Sequence, residues 1–401
     1  MNLYRASTQW ITRPPDERFA TVQELHKAAK YAREHSHETV LPLGQLGAIG
    51  HDDDDEVVIQ ANGNRARPTH WCFEQLALRL GAPPDYLRQL PSALAARLLN
   101  HGFKANRDAL VKTLLLQDPA YEESGQSSLP LTSPPLPLLR AATGVGYTRI
   151  WDEWITGPLL DSEEQGWRVP PARPAFPGQP GTRPATEADV LRAGQFGLSI
   201  KVGDLIAPAG LYLGDRSFFA FMIREDRRIE DGSPGGLSRG FFVWNSEVGS
   251  ASFGIDTFLF RHVCGNHIVW DVAGVQEIRL RHTGDSDQQA LELLRRLFRR
   301  YAEYSAAGEE EQIEAAKRYS LGRDRKEVIA YVTKQDLPAL TRVRGEQAWK
   351  LAESHTDTDG PPTSAWGFAQ GLTRLAQTIP FTEARVTLER SAGRILMLAT
   401  R

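Results

Sequence analysis

The sequence predicts an α+β fold, with a central, mostly antiparallel sheet, N-terminal helices and a helical C-terminal region. Two observations carry this expectation. Between Val111 and His282 the apolar residues fall in short runs rich in β-branched and aromatic side chains, separated by Gly, Pro, Asp or Asn. That is the pattern of strands and turns. From Ser286 onward apolar residues recur every three or four positions, the period of amphipathic helices.

The elements follow in order. Thr21 with Glu24 three positions on is a capping-box signature, so Thr21 to Glu34 reads as a helix. Val57-Val58-Ile59 reads as a short strand. Residues 69–80 and 84–100 have helical spacing; Pro83-Pro84 starts the second helix and Pro91-Ser92 divides it. Strands are expected at 111–117, 138–142, 147–151, 217–224, 240–245, 253–261, 267–272 and 277–282. Two stretches, 124–137 and 167–184, are dense in proline, which continues neither a helix nor a central strand. The second is expected to be a surface loop or mobile flap. Helices are then expected at 287–306, 309–320, 323–334, 336–353, 364–378 and 382–398. The implied organisation is an acidic segment 1–67, an α+β core 68–285 with a Pro-rich insertion at 162–186, and a helical region 286–401.

Composition narrows the class of protein. The 401 residues are 41% hydrophobic and 24% charged with a net charge of −3, which excludes collagen-like, disordered and disulfide-scaffold proteins. No run reaches the ~18 apolar residues of a membrane span, and the first residues lack the pattern of a secretory signal. Cys72 and Cys264, far apart, suit a reducing compartment. The expectation is a soluble cytoplasmic protein with no membrane partner. Its charge is uneven: residues 1–60 hold ten acids against six Lys and Arg, whereas 279–350 hold fifteen Lys and Arg against twelve acids.

Phosphate-binding motifs are absent. No Walker sequence occurs, and Gly144-Val145-Gly146 lacks the third glycine and following helix of a dinucleotide site, so it reads as a turn. Gly232 to Gly236 reads as a hairpin loop. No resident cofactor is predicted. A zinc site is the single metal option, built on His262, Cys264 and His267; His262 and Cys264 share one strand face, and His282 or Cys72 would complete the set. The competing reading is a buried thiol beside hydrogen-bonded histidines.

Asn245-Ser246-Glu247 ends a strand. With Asn266 and the nearby histidines it forms a candidate polar pocket, yet no nucleophile elbow surrounds Ser246. The alternative for Asn245, Ser246 and Glu247 is turn chemistry, their side chains satisfying free backbone groups. Between residues 216 and 270 aromatics crowd the strands, interleaved with arginines. Rings and guanidinium groups exposed together make the stacking-plus-charge surface of single-strand binders. The competing pattern is rings in the core and arginines in solvent, which a period of two also produces. Helix 287–306 adds Arg295, Arg296, Arg299 and Arg300 beside an apolar stripe.

These motifs resemble those of the DUF932 family, also called phage/plasmid-like proteins. The resemblance rests on Gly240–Gly249 (GFFVWNSEVG), on Phe258–His267 (FLFRHVCGNH), and on the helical region Leu76–Leu99. Leu139-Arg140-Ala141 through Tyr147, Arg279–His282 and Trp366–Thr373 also fit, so the similar region spans about residues 68–398. The resemblance implies a setting, the DNA transactions of mobile elements, and no catalytic set.

The leading expectation is therefore a nucleic-acid-binding protein of a mobile element, acting on single-stranded DNA in replication, annealing or recombination, and possible as a homo-oligomer. Arg140, Tyr147, Arg149, Arg216, Arg239, Trp244 and Arg261 would contact the strand from the sheet, and Arg295, Arg296, Arg299 and Arg300 would extend the track. One alternative is an enzyme with a polar or metal-assisted pocket around Asn245–Glu247 and His262–His267. Another is a protein-binding scaffold or inhibitor of host defence, its acidic run Asp52–Glu56 imitating phosphates.

Overall fold

A computed structural model describes residues 16–50, 56–61, 63–117, 136–175, 182–195, 198–233, 235–262, 266–268, 278–301 and 307–400. The acidic run Asp52–Asp55 and Cys264 lie outside the described residues, as do the side chains of Asn266, His267, Arg299 and Arg300.

The chain builds two main sheets. The first has six strands in the order Ser36–Pro42, Leu110–Leu116, Leu138–Thr143, Asn64–Pro68, Val58–Ala61 and Leu46–Ile49. All neighbours are antiparallel except Asn64–Pro68 with Leu138–Thr143. This sheet draws strands from both sides of position 67/68. Helices His70–Arg79 and Ser92–Ala105 cover it, burying Phe73, Leu76, Ala96, Leu99 and Phe103 against Leu41, Ile59 and Val111.

The second sheet is fully antiparallel and runs Glu17–Phe19, Leu211–Leu213, Phe218–Ile229, Leu237–Asn245, Phe253–Arg261 and Asn266–Ile268. Trp167–Arg168 pairs with its third strand and Ile278–Leu280 with its fifth. Side chains alternate between two faces, as the pleat requires. Phe218, Ala220, Met222, Phe241, Val243, Phe253 and Ile255 pack under helices Val22–Glu34, Asp152–Glu164 and Ser286–Tyr301. On the other face, Phe219, Phe221, Phe242, Trp244, Phe258 and Phe260 meet Val386 of helix Thr382–Leu396. Both faces are covered. Strands Leu237–Asn245 and Phe253–Arg261 are consequently buried along their whole length.

Most expected elements form. Thr21 caps the first helix: its hydroxyl accepts from Glu24 N at 3.1 Å, and the Glu24 carboxylate accepts from Thr21 N at 3.3 Å. The C-terminal helices are Ser286–Tyr301, Ala307–Arg318, Arg325–Thr333, Arg342–Glu353, Ala365–Gln377 and Thr382–Leu396. The fourth starts six residues later than expected, because Asp336 and Ala339 take positive φ beside Pro338 and Thr341 supplies the cap. Gly232, Gly235 and Gly236 also have positive φ, which closes the hairpin into Leu237.

Three expectations are corrected. Residues 147–151 are not a strand; Thr148 N donates to His282 O, and helix Asp152–Glu164 begins directly after, running through Gly157-Pro158. The 167–184 stretch is not simply a surface loop or flap: Trp167 is fully buried, edge-on to Phe241 at 4.7 Å, and pairs with Arg224. Helix Glu187–Gln195 was hidden by its short length, although Thr186 and Asp189 cap each other.

Trp244 lies across from Gly254, where an added methyl group would sit 2.0 Å from ring atom Cζ2. Gly254→Ala is expected to destabilise by about 1–3 kcal/mol through overpacking. A urea midpoint equal to wild type would contradict this packing.

Candidate functional site

Residues that the sequence analysis assigned to two different surfaces meet in one place, the seam between the sheets. Strand Leu237–Asn245 ends there, and the turn that follows it is inserted into the N-terminal unit. Ser246 Oγ donates to Arg216 O at 2.6 Å and accepts from Ser250 N at 2.9 Å, shaping the turn. Trp71 Nε1 and Gln75 Nε2, both from helix His70–Arg79, donate to Val248 O at 2.9 and 2.7 Å. Gln75 Oε1 accepts from Ala142 N of the first sheet at 2.8 Å. Tyr147 closes the other side, its hydroxyl donating to Ser246 O at 2.5 Å.

Glu247 stands in for a missing cap. Helix Asp152–Glu164 has Trp151 at its N-cap, which offers no oxygen, and Glu247 Oε1 accepts from Asp152 N at 2.9 Å instead. A carboxylate at a helix N-terminus is also favoured by the helix dipole. Asn245 Nδ2 donates to Ile150 O and to Asp152 Oδ1, both at 2.7 Å. Arg140 lies 2.7 Å from Glu247 Oε2, and Arg149 donates to Glu38 Oε1 from Nε and Nη2. The Tyr147 ring stacks on His282 at 4.8 Å and faces the Arg149 guanidinium at 5.5 Å. Asp152, Glu38, Trp71 and Gln75 were not singled out from sequence, since each is one ordinary residue whose partner lies 67 or more positions away. A helix start without a capping side chain, at Trp151-Asp152, was the available signal.

Burial sets the protonation states here. It pushes the Asp152 carboxyl well above its ordinary range, and the neighbouring Glu247 charge adds to this, while Asn245 and the two arginines oppose it. Burial also raises the Tyr147 hydroxyl and lowers His282 to about 4, so the imidazole is neutral at pH 7. Asn245 Nδ2, Ser246 Oγ and Glu247 Oε1 each hold backbone, while Asn245 Oδ1 and His282 Nε2 are buried without a hydrogen-bond partner among the described residues. The turn-chemistry alternative for Asn245, Ser246 and Glu247 matches these contacts.

The remaining sheet arginines are also engaged. Arg239 grips Glu309 through Nε at 2.9 Å and Nη2 at 2.7 Å, both residues being buried. Arg261 contacts Asp231 at 2.7 Å and also pairs with Asp359, which Arg374 joins. Arg216 pairs with Glu74 at 3.0 Å and lies over the Trp71 ring. Trp244 is 5% exposed and packs under Arg390. The shared outward channel expected of these residues is therefore not formed by them: the second helical layer covers the rings, and burial forces each guanidinium onto a carboxylate. Arg295 and Arg296 do face solvent, Arg296 in an exposed pair with Glu292.

For the zinc option, His262 is buried, its Nε2 lying 2.8 Å from Ser238 Oγ, and burial lowers it to about 3. No group of three His, Cys, Asp or Glu placed to hold a metal occurs among the described residues. A surface cavity of about 350 Å³ runs along helix Ser286–Tyr301, lined by Gln288, Gln289, Glu292, Leu293 and Arg296 and by none of the seam residues.

Exposed cations concentrate elsewhere. Residues 318–350 hold eight Lys and Arg against four acids. Arg325 pairs with Glu346 and so joins helices Arg325–Thr333 and Arg342–Glu353, and Arg323 pairs with Glu327 in solvent. Arg318, Lys326, Lys334, Arg342 and Lys350 are exposed and outside any ion pair among the described residues.

The architecture defines an α+β protein whose central sheet is enclosed between helical layers. Residues 193–386 match the family model DUF932, described as a domain of unknown function. The match takes in the central strands from Leu205 and most of the C-terminal helices. No curated protein and no solved structure matches the chain. No helix among the described residues is long and apolar enough to cross a membrane.

The buried groups give stability a two-sided pH dependence. The unfolded chain protonates histidine near its ordinary 6.5, whereas folded His262 and His282 resist until about 3 and 4. Stability from these sites is whole above 6.5 and is lost as the pH falls toward 4. Asp152 acts in the opposite direction: the unfolded carboxyl ionises near 3.8 while the folded one holds its proton, so stability declines as the pH rises above 3.8. Asp152→Asn is expected to flatten the decline toward neutral pH, and His282→Gln the loss toward acid. Urea titrations across this range test both; profiles unchanged by the substitutions would refute the assignments.

Proposed function

We propose that the protein binds nucleic acid, with single-stranded DNA as the preferred substrate, through its cationic C-terminal helices and not through the rings of the central sheet. The observation that carries this reading is the surface of helices Arg325–Thr333 and Arg342–Glu353. A chain of net charge −3 there displays Lys326, Lys334, Arg342 and Lys350, with Arg318 just before them, outside ion pairs among the described residues. Cations so placed neutralise phosphates and release counterions. The exposed pairs Arg323–Glu327 and Arg325–Glu346 exchange a carboxylate for a phosphate at little cost, because surface ion pairs are worth about 0–1 kcal/mol. Arg295 and Arg296 are a second exposed source of charge, on a helix that covers the opposite face of the sheet from Val386. The resemblance to phage/plasmid-like proteins supports a role in replication, annealing or recombination of a mobile element. The seam is not read as an enzyme pocket, because its side chains are engaged in holding backbone.

Fluorescence anisotropy with an oligothymidylate of about 30 nucleotides tests the proposal. Affinity is expected to fall steeply with salt. Lys326→Glu, Arg342→Glu and Lys350→Glu together should weaken binding and reduce the salt slope by roughly 0.7 for each phosphate that is no longer neutralised. Absence of binding at low salt and micromolar protein would refute the reading.

A further inference from the structure

We propose that the outward face of helix Ser92–Ala105 is a docking surface for an acidic amphipathic helix of a partner protein. The inner face of this helix is spent on the core of the N-terminal unit, through Ala95, Ala96, Leu99 and Phe103. The outer face carries Leu94 and Leu98, 40% and 42% exposed, with Arg97, His101 and Lys104 also exposed. Spacings of three and four place these residues on one stripe.

Two features separate this stripe from an ordinary solvated face. The helix contains no carboxylate, so its cations have no counter-charge of their own. Among the described residues, the nearby carboxylates are engaged elsewhere: Glu74 and Asp85 contact Arg88, and Asp108 lies 3.6 Å from Arg107. The helix is also a rigid platform. Asn100 Oδ1 accepts from Ala48 N and Asn100 Nδ2 donates to Ala48 O, both at 2.8 Å, and Gly102 abuts Leu80. A surface already ordered loses little entropy on binding.

Charge complementarity calls for an acidic partner, and the leucines select among acidic partners. A nucleic acid backbone would neutralise Arg97 and Lys104 while leaving Leu94 and Leu98 in water. Insertion into a bilayer needs a broad apolar face, and here most of that face is already in the core. A helix with leucines at i, i+3 and i+4, flanked by Glu or Asp, satisfies both requirements at once.

The probe is a labelled synthetic peptide of that pattern, titrated with the full chain at low salt and read by anisotropy. Leu94→Ser with Leu98→Ser, and Arg97→Glu with Lys104→Glu, are each expected to weaken binding about tenfold or more, with unchanged cooperative melting. Lys326→Glu is expected to leave peptide affinity unchanged. No binding of the peptide would overturn the proposal, as would a leucine double variant that binds like wild type. Displacement of the peptide from this face by oligothymidylate or by phosphatidylglycerol vesicles would likewise overturn it. Loss of oligothymidylate binding alone bears on the C-terminal helices and leaves this surface standing.

Discussion

The two sheets are held in register by the insertion of one turn, Ser246 to Ser250, into the N-terminal unit. Its backbone oxygens are gripped by Trp71, Gln75 and Tyr147, and the adjoining Glu247 and Asn245 fasten the start of helix Asp152–Glu164. That helix covers one face of the central sheet, so the covering depends on the turn. Buried polar contacts of this density leave few alternative arrangements, because any slippage strands donors and acceptors without water.

The same logic decides what the central arginines do. A sheet with one face in solvent could present them, but here helices occupy both faces. Arg239 and Arg261 run into the interior and draw Glu309, Asp231 and Asp359 with them. Such pairs contribute little net stability compared with apolar residues of the same size, yet removing one partner is severe. They are better understood as selectors of one packing of helices on strands than as a ligand surface.

Much of the fold was legible because it is written locally. The capping box at Thr21, the proline that starts a helix at Pro84 and the change from period two to period 3.6 near Ser286 are short-range signals, and the elements follow them. The unread parts are those in which a local signal is overruled from a distance. Gly157-Pro158 argues against a helix, yet Ile155 and Leu159 bury against the sheet and the helix persists. Proline at 170, 171 and 174 argues for an exposed loop, but the neighbouring Trp167 finds the core. At the seam, Asn245, Ser246 and Glu247 could be named from their place at the end of a strand. Asp152, Trp71 and Gln75 could not, since nothing near them in sequence announces the contact. Alternation predicted which rings share a face and could not say that a second layer of helices would cover the other one.

The pairs Arg239–Glu309 and Arg261–Asp359 span the boundary at which the chain turns from strands to helices. A shortened protein ending before Ser286 would strip Arg239 of Glu309 and leave Arg261 with Asp231 alone, along with an uncovered apolar sheet face. The sheet and the helices that follow it therefore complete one another's buried surfaces.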